Sequence, residues 1–379
     1  MTQLRSRLAQ RLEAEIAAWA TLPGRVAGLQ VQRCLLLARH GREQEARTEM
    51  GRLYQRSLVQ PRAELTAWLH LAEGVLAFYA GHLPLAHLRV QRAQDMAEAA
   101  GVADLLPWGL AWRAHLEVVA RRPALVAAAA QQALASPQAD AGVRYRAATA
   151  VALAWSVSQD PVAVEWFTFA RQQCLIDGDD AALAALLYNQ TQVRALRIRI
   201  DALRGRPGEA PSALLSVDSV SHFDAAVGGT ARSELTPLVR AQLLLVQGQV
   251  AEARRVLESQ LPALMAAGLS HIGHSLLADL AWCCVEVGET ARARALAESA
   301  ALELRVEAPD GCDIEDRAAA HARLADVHQR LGEQDSAARH RAAAEQAWVA
   351  FDQHRADWVL ALEAAGLRAL PAAAGTITR

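Results

Sequence analysis

A spaced set of small residues recurs along the chain and limits its fold more than any other feature of the sequence. A glycine is followed five residues later by an alanine in segments such as VQGQVAEARRVL (246–257) and VEVGETARARAL (285–296). A third small residue stands seven positions before each glycine. The five glycines are Gly41, Gly81, Gly248, Gly288 and Gly332.

These glycines recur at a nearly constant interval. Gly81 follows Gly41 by 40 residues, and Gly288 follows Gly248 by the same distance. Gly332 comes 44 residues after Gly288. Periods of this length indicate stacked supersecondary units rather than one globule. Weaker turn signals fill the long gap: ARRPAL (120–125), SQDPVA (158–163) and RGRPGEAP (204–211).

The spacing is that of a helical hairpin. Glycine permits a tight turn with positive φ, and a small residue on each flanking helix lets the two backbones approach closely. Apolar residues before the turns recur at helical spacing, which predicts an all-α protein. The small residues are Cys34, Gly74, Ala241, Ala281 and Ala325 before the turns and Ala46, Ala86, Ala253, Ala293 and Ala337 after them.

This combination resembles the tetratricopeptide repeat (TPR). Five units match it well and about three more match weakly, so the resemblance covers most of the chain. The units are longer than the usual TPR of about 34 residues, and the clear units lack its helix-ending proline. They are similar to the long-helix variety of bacterial regulators, such as the sensor region of the maltose-type transcription activators. HEAT-like repeats share the period but not the Gly-to-Ala spacing. The resemblance implies a right-handed α-solenoid of about eight hairpins with capping helices.

The composition along the chain suggests how the array is divided. We predict a first array over 1–203, beginning with an amphipathic capping helix at 3–20. Residues 204–233 are rich in Gly, Ser and Pro and lose the helical period, which indicates a linker or insertion. A second array would occupy 234–366 and end in a long helix around 338–365, followed by a tail at 367–379.

The charge balance gives no reason to expect a nucleic-acid partner, because the formal net charge is −2. All 39 basic residues are arginine, from either GC-rich coding or escape from a lysine-directed modification. The five cysteines form no C-x-x-C pair, which favours a reducing compartment. With no apolar N-terminal region and no run of transmembrane length, we expect a cytoplasmic protein without a membrane partner.

The sequence shows no group of residues arranged for chemistry, and we expect neither a cofactor nor a catalytic residue. No phosphate-binding glycine loop is present. His271 and His274 are three apart, but Asp279 and Cys283 are too distant to complete a tetrahedral metal site. An all-α hydrolase, the least favoured alternative, needs two placed carboxylates, and no such pair stands out.

The TPR resemblance implies where a partner would bind. In that family, binding residues stand at set offsets before the turn, on the first helix of each hairpin, and line a concave groove. Carried over residue by residue, the offsets give Trp68, Phe78, Tyr79, Trp108, His115, Trp282, Asp326 and Arg330. The competing interpretation is that these rings pack between helices, or against an insertion folded back into the groove.

The predicted helix at 185–206 adds two further candidates. Asn189 falls within an apolar stripe, where an amide must be hydrogen-bonded, either to a partner's backbone or to a neighbouring helix. Arg199 belongs to a basic patch that would suit an acidic partner segment or RNA, unless it is simply a solvated face. The other patch members are Arg194, Arg197, Arg204 and Arg206.

The sequence therefore favours a non-catalytic scaffold that binds a peptide or partner protein in the groove of a TPR-like solenoid. The alternative is a regulatory module that senses a ligand or peptide and acts on a separate output protein. The oligomeric state and the identity of the partner do not follow from the sequence.

Overall fold

The computed structural model describes residues 6–206, 213–219, 235–266, 273–306 and 313–371. Nearly all of these residues lie in α-helices, and none of them lies in a β-strand. The all-α prediction is confirmed.

The first ten helices run without interruption through the first described range. They are α1 (Arg7–Ala18), α2 (Pro23–Arg39), α3 (Glu43–Val59), α4 (Ala63–Tyr79), α5 (Leu83–Ala100), α6 (Leu106–Val119), α7 (Pro123–Ala135), α8 (Ala141–Val157), α9 (Val162–Asp177) and α10 (Asp180–Leu203). The later ones are α11 (213–219), α12 (Leu235–Val246), α13 (Val250–Ala266), α14 (Gly273–Glu286), α15 (Thr290–Val306), α16 (Ile314–Arg330) and α17 (Gln334–Ala364).

Nine turns between helices have the same geometry. The turn residue has positive φ, its N–H bonds the carbonyl three residues back, and the next N–H bonds the carbonyl five residues back. This is the Schellman arrangement. The turn residues are the five predicted glycines together with Gly101, Arg121, Gln159 and Gly205, so the three weak turn signals are confirmed.

The small residues of the repeat lie where the two helices of a hairpin meet. The five alanines after the turns are at most 1% exposed. A Cβ atom added to Gly74 on α4 would lie 2.8 Å from Val90 Cγ2 and 3.1 Å from the Ala86 carbonyl oxygen on α5. The predicted close approach of the two backbones is present there.

The described chain forms two compact units. Unit 1 contains 6–190 and 357–371, and unit 2 contains 191–206, 213–219, 235–266, 273–306 and 313–356. Hairpins pair α2 with α3, α4 with α5, α6 with α7 and α8 with α9 in unit 1, and α12 with α13 and α14 with α15 in unit 2. Also in unit 2, α16 contacts the first part of α17 through side chains such as those of His321 and His340. The domain limits predicted from the sequence do not coincide with these units and stay a prediction.

First helices also contact one another within each unit. In unit 1 the contacts join α2 to α4, α4 to α6 and α6 to α8, and in unit 2 they join α14 to α16. Each unit therefore has a layer of first helices, which is where the TPR resemblance places binding residues.

The capping helix at the N-terminus is observed as α1. The Ser6 hydroxyl caps it by accepting the Ala9 N–H, and Leu8 and Leu12 pack with Leu36 of α2. The long helix expected near the C-terminus is the second helix of the last hairpin, α17, rather than an additional element.

Two expectations about irregular segments need correction. Residues 213–219, inside the predicted linker, form helix α11, in which Ala213 and Val217 are buried. The predicted tail does not begin at 367, because Leu367 is buried in unit 1 and its carbonyl accepts the indole N–H groups of Trp155 and Trp166, each at 3.0 Å. Positive φ at Gly366 turns the chain into this position. Residues 372–379 lie outside the described ranges.

Candidate binding surfaces

Four rings on two first helices of unit 1 form an aromatic cluster: Phe78 and Tyr79 on α4, and Trp112 and His115 on α6. The Phe78 centroid lies 5.2 Å from that of His115 and 6.0 Å from that of Trp112, in edge-to-face geometry. The centroids of Tyr79 and Trp112 are 6.1 Å apart. Trp112 is fully buried and the other three are half-buried. The structure thus brings together Phe78, Tyr79 and His115, and it adds Trp112.

Arg146 on α8 covers the aromatic cluster. Its guanidinium carbon lies 3.7 Å from the Trp112 ring centroid and 5.3 Å from that of Tyr145, within the range of a cation–π contact. Arg146 is itself buried. Trp112, Tyr145 and Arg146 were not predicted from the sequence, although Trp112 stands one helical turn before His115 and one after Trp108.

Unit 1 also contains a buried ion pair, between Arg39 of α2 and Asp179. Burial opposes the charged guanidinium, but the adjacent Asp179 carboxylate holds the pKa of Arg39 above its usual range. The other Asp179 oxygen accepts the Ala182 N–H at 3.0 Å and caps α10. The Asp179 carboxylate therefore has a structural role.

Two tryptophans predicted at the groove serve packing between helices instead. Trp68 is buried against α2, where a Cβ added to Gly28 would lie 2.9 Å from Trp68 Cε2. Trp108 donates its indole N–H to Asp140 Oδ2 at 3.3 Å, and its ring lies against Gly142 at the start of α8. Large rings fill the space left by these glycines. The groove assignment is wrong for Trp68, and the contacts of Trp108 are those of a packing residue.

In unit 2, the ring of Trp282 on α14 lies near two arginines of α16. The guanidinium carbons of Arg323 and Arg330 are 5.3 Å and 5.7 Å from the Trp282 ring centroid. We call these three residues the tryptophan–arginine stack. The Arg330 side chain is 63% exposed, and the Asp326 side chain, 3.9 Å from Arg323, is 49% exposed. Three predicted site residues, Trp282, Asp326 and Arg330, therefore lie close together, and the two charged side chains are exposed whereas the Trp282 ring is half-buried against the core.

A buried ionic network supports the tryptophan–arginine stack. Asp279 of α14 accepts hydrogen bonds from Arg199 Nη2 at 2.8 Å and from Arg323 Nε at 3.1 Å. Arg199 also donates to Ser275 Oγ at 2.8 Å and lies 3.4 Å from Asp316. Arg199 is buried among these partners, so its assignment as a surface contact is wrong. It helps to hold Arg323 through Asp279.

The remaining predicted positions lie on and beside α10. Asn189 is half-buried, and in the part of the chain that the structure describes no hydrogen bond to its side chain is recorded. The basic patch is largely neutralised, because Arg204 binds both oxygens of Asp352 and Arg206 lies 3.8 Å from Asp201. The patch is therefore a poor site for RNA.

No arrangement for metal or thiol chemistry is found within the described ranges. No group of three His, Cys, Asp or Glu residues there is placed to hold a metal ion. His271 lies outside those ranges, and His274 is buried. Cys283 and Cys284 are buried, and burial raises the pKa of the Cys283 thiol to about 12. None of the described helices is long and apolar enough to cross a membrane.

Comparison with known proteins gives the class of the fold. No protein-family model and no curated protein matches the chain. Among solved structures, a Rap protein complexed with competence and sporulation factor is similar, with a TM-score of 0.54 over 88% of both chains and 10% identity. This likeness and the hairpin geometry define a TPR-like helical-repeat fold. At this identity the likeness concerns the fold alone.

Proposed function

We propose that this protein is a non-catalytic interaction protein that binds a peptide or a segment of a partner protein along the first helices of its hairpins. The tryptophan–arginine stack of unit 2 is the observation that carries the proposal. It combines a half-buried aromatic ring with exposed charged groups on two adjacent first helices.

The residue types of this stack are those that dominate binding energy in protein interfaces. Tryptophan and arginine are enriched among interface hot spots, because a large ring and a planar guanidinium both gain much from desolvation in a fitted pocket. Trp282 is held by Arg323, which is itself fixed by Asp279. Such a held ring loses little conformational entropy on binding.

Unit 1 offers a second candidate surface, the aromatic cluster. Phe78, Tyr79 and His115 are half-buried, as Trp282 is, but Arg146, which covers Trp112, is buried, whereas Arg330 of the tryptophan–arginine stack is exposed. A partner could contact these three rings without rearrangement only at their exposed edges. Asn189 would add an amide able to bind a partner's backbone. We therefore place the main contact on unit 2.

A sensory role is the second candidate, supported by the similar solved structure, a Rap protein with competence and sporulation factor bound. In this role the array would bind a small ligand or peptide and pass the change to a separate output protein. Saturable thermal stabilisation by one member of a peptide and metabolite panel would favour this role. The absence of any such shift would leave the scaffold as the better proposal.

The test uses affinity capture from the native host with the full-length chain as bait. Trp282→Ala and Arg330→Gln should each reduce the amount of a specific co-purified partner about tenfold, since hot-spot truncations weaken binding by roughly 2 kcal/mol or more. Arg255→Gln is the matched control, because Arg255 is exposed on α13, a second helix of the same unit.

The thermal unfolding of each bait variant is measured first, so that loss of the partner is not confused with loss of fold. Equal recovery of the partner by wild type and both stack variants would contradict the proposed surface. If Arg255→Gln lost as much of the partner as the two stack variants, the binding would reflect non-specific charge attraction instead.

A further inference from the structure

A cavity of about 500 Å³ opens on unit 1 where the start of α5, the end of α6 and the start of α7 meet. Its volume falls within the range of small-molecule sites. Leucines form much of its wall: Leu83 and Leu88 from α5, Leu116 from α6 and Leu125 from α7. Leu88 is 63% exposed although it is large and apolar. The cavity thus offers apolar surface to a ligand.

One end of the cavity is ionic. Glu117 of α6 lies there with its side chain only 4% exposed. Arg122 Nη1 is 3.4 Å from one carboxylate oxygen, and His87 Nδ1 and Arg113 Nε are 3.6 Å and 4.0 Å from the other. The side chain of Arg113 is 36% exposed, and that of Arg122 is 55% exposed.

The ionic end carries an excess of positive charge at neutral pH. Burial lowers the pKa of His87, and the two arginines lower it further against the opposing effect of Glu117. His87 is therefore neutral, leaving one carboxylate and two guanidinium groups. The buried Nε2 atom of His87 has no hydrogen-bond partner among the described residues.

An anion fits this end of the cavity better than a cation or a neutral group. A guanidinium has five N–H donors, so Arg113 and Arg122 can each hold Glu117 and a second anion together. A cationic ligand would approach the same two arginines and be repelled. A polar atom of the ligand would also satisfy His87 Nε2.

From the leucine wall and the two arginines together, we propose that this cavity binds a small amphiphilic carboxylate. Its carboxylate pairs with Arg113 and Arg122, and its apolar tail of several carbons lies against Leu83, Leu88, Leu116 and Leu125. The site does not depend on the proposed function. Trp112 and His115 of the aromatic cluster lie on a roughly opposite face of α6 from Arg113 and Glu117, and the tryptophan–arginine stack lies in unit 2.

The proposal is tested by isothermal titration of the full-length protein at pH 7.5 with octanoate. Three matched probes separate the contributions: octan-1-ol keeps the tail without the charge, octylammonium reverses the charge, and acetate keeps the charge without the tail. We expect saturable binding of octanoate and at least about tenfold weaker binding of each of the other three. Octan-1-ol and octylammonium lack the charge-assisted hydrogen bonds to the two arginines, and acetate lacks the apolar tail that the leucines would remove from water.

Two variants and one control locate the site. Arg113→Gln and Arg122→Gln should each weaken octanoate binding about tenfold, whereas Arg92→Gln, an exposed α5 arginine that does not line the cavity, should bind as wild type. Circular dichroism and thermal unfolding establish that each variant is folded. Leu125→Ser supplies an independent test of the tail, since it should weaken octanoate without changing acetate.

Three outcomes would overturn the proposal. They are no saturable binding of octanoate at millimolar concentration, octan-1-ol or octylammonium binding as tightly as octanoate, and an equal loss of affinity in Arg92→Gln and Arg122→Gln.

Discussion

Arg199 Nη2 lies 2.8 Å from Asp279 Oδ2, and both side chains are almost completely removed from solvent, with 1% and 0% exposed. The pair links α10 to α14 within unit 2, and the other Asp279 oxygen binds Arg323 of α16. One carboxylate therefore fixes two arginines on two helices. The second of these arginines touches the ring of Trp282.

Asp279→Asn should destabilise unit 2 strongly. The substitution keeps the shape but leaves Arg199 and Arg323 without their shared counter-charge, which costs about 3 kcal/mol or more when one partner of a buried pair is removed. Asp352→Asn is the control, because the Arg204–Asp352 pair is partly exposed and such pairs contribute at most about 1 kcal/mol. Urea unfolding followed by circular dichroism measures both. Equal midpoints for the two variants would mean that the buried network does not stabilise the unit.

Gly74→Ala should destabilise the α4–α5 hairpin despite the better helix propensity of alanine. The new Cβ would lie 2.8 Å from Val90 Cγ2 and 3.1 Å from the Ala86 carbonyl oxygen, and relief of such overpacking costs about 1–3 kcal/mol. Gly51→Ala is the matched control in α3, where a Cβ meets no atom within 4 Å. It should stabilise the protein by about 0.5–1 kcal/mol. The two substitutions must therefore shift the denaturation midpoint in opposite directions.

Gln159→Gly should stabilise unit 1 slightly. Gln159 holds φ 59 at the turn between α8 and α9, a conformation that costs a residue with a side chain about 1 kcal/mol. Glycine removes this strain, although its greater freedom in the unfolded chain offsets part of the gain. Gly248→Gln makes the reverse change at the equivalent turn of unit 2. We expect thermal unfolding midpoints to rise for the first variant and to fall for the second.

The sequence predicted the parts of this fold that depend on local geometry. A turn with positive φ and a close helix contact each require a particular small residue, so Gly81, Ala86 and Gly74 could be located by spacing alone. Even the turns at Arg121 and Gln159 followed from the period. The bounds of the helices could be predicted less closely from the sequence. Helix α11 was not predicted, because its segment is rich in turn-forming residues.

The site was harder to predict because a ring at the right offset can face either a partner or a neighbouring helix. Trp68 and Trp282 both stand at offsets that the TPR resemblance assigns to binding, but Gly28 leaves room that Trp68 fills. Trp282 instead meets two arginines from the next hairpin. These differences arise from residues distant in sequence, and the spacing of a ring from its turn residue does not reveal such contacts. The burial of Arg199 depends in the same way on Asp279.

Leu367→Ala should destabilise unit 1 by about 2–3 kcal/mol, since it removes a buried leucine side chain. Leu370→Ala, three residues later, is the control because Leu370 is 38% exposed, and it should cost under about 1 kcal/mol. The indole N–H groups of Trp155 on α8 and Trp166 on α9 donate hydrogen bonds to the Leu367 carbonyl oxygen. These bonds hold the segment around Leu367 against the two helices. Near-ultraviolet circular dichroism of Trp155 and Trp166 should therefore change with the first substitution. An unchanged spectrum and midpoint would contradict the docking of this segment.

Two histidines that face each other in unit 2 should make stability depend on pH. His321 of α16 and His340 of α17 place their Nδ1 atoms 3.0 Å apart, and His328 stacks on His340. Burial lowers the pKa of both His321 and His340 to about 4, and the neighbouring charged groups act in the same direction. These groups are Arg317 beside His321, and His328, Arg339 and Arg305 beside His340.

The folded pKa of each histidine therefore lies below the value of about 6.5 expected in the unfolded chain. Between pH 6.5 and 4 the unfolded state binds more protons, so the free energy of unfolding falls as the pH falls through this window. We expect the thermal midpoint to be constant from pH 8 to 7 and to drop steadily below 6.5. His340→Gln should flatten the drop, whereas His82→Gln, at an exposed position in unit 1, should leave it unchanged. A drop of the same steepness in wild type and His340→Gln would show that other groups, such as the carboxylates, account for the acid sensitivity.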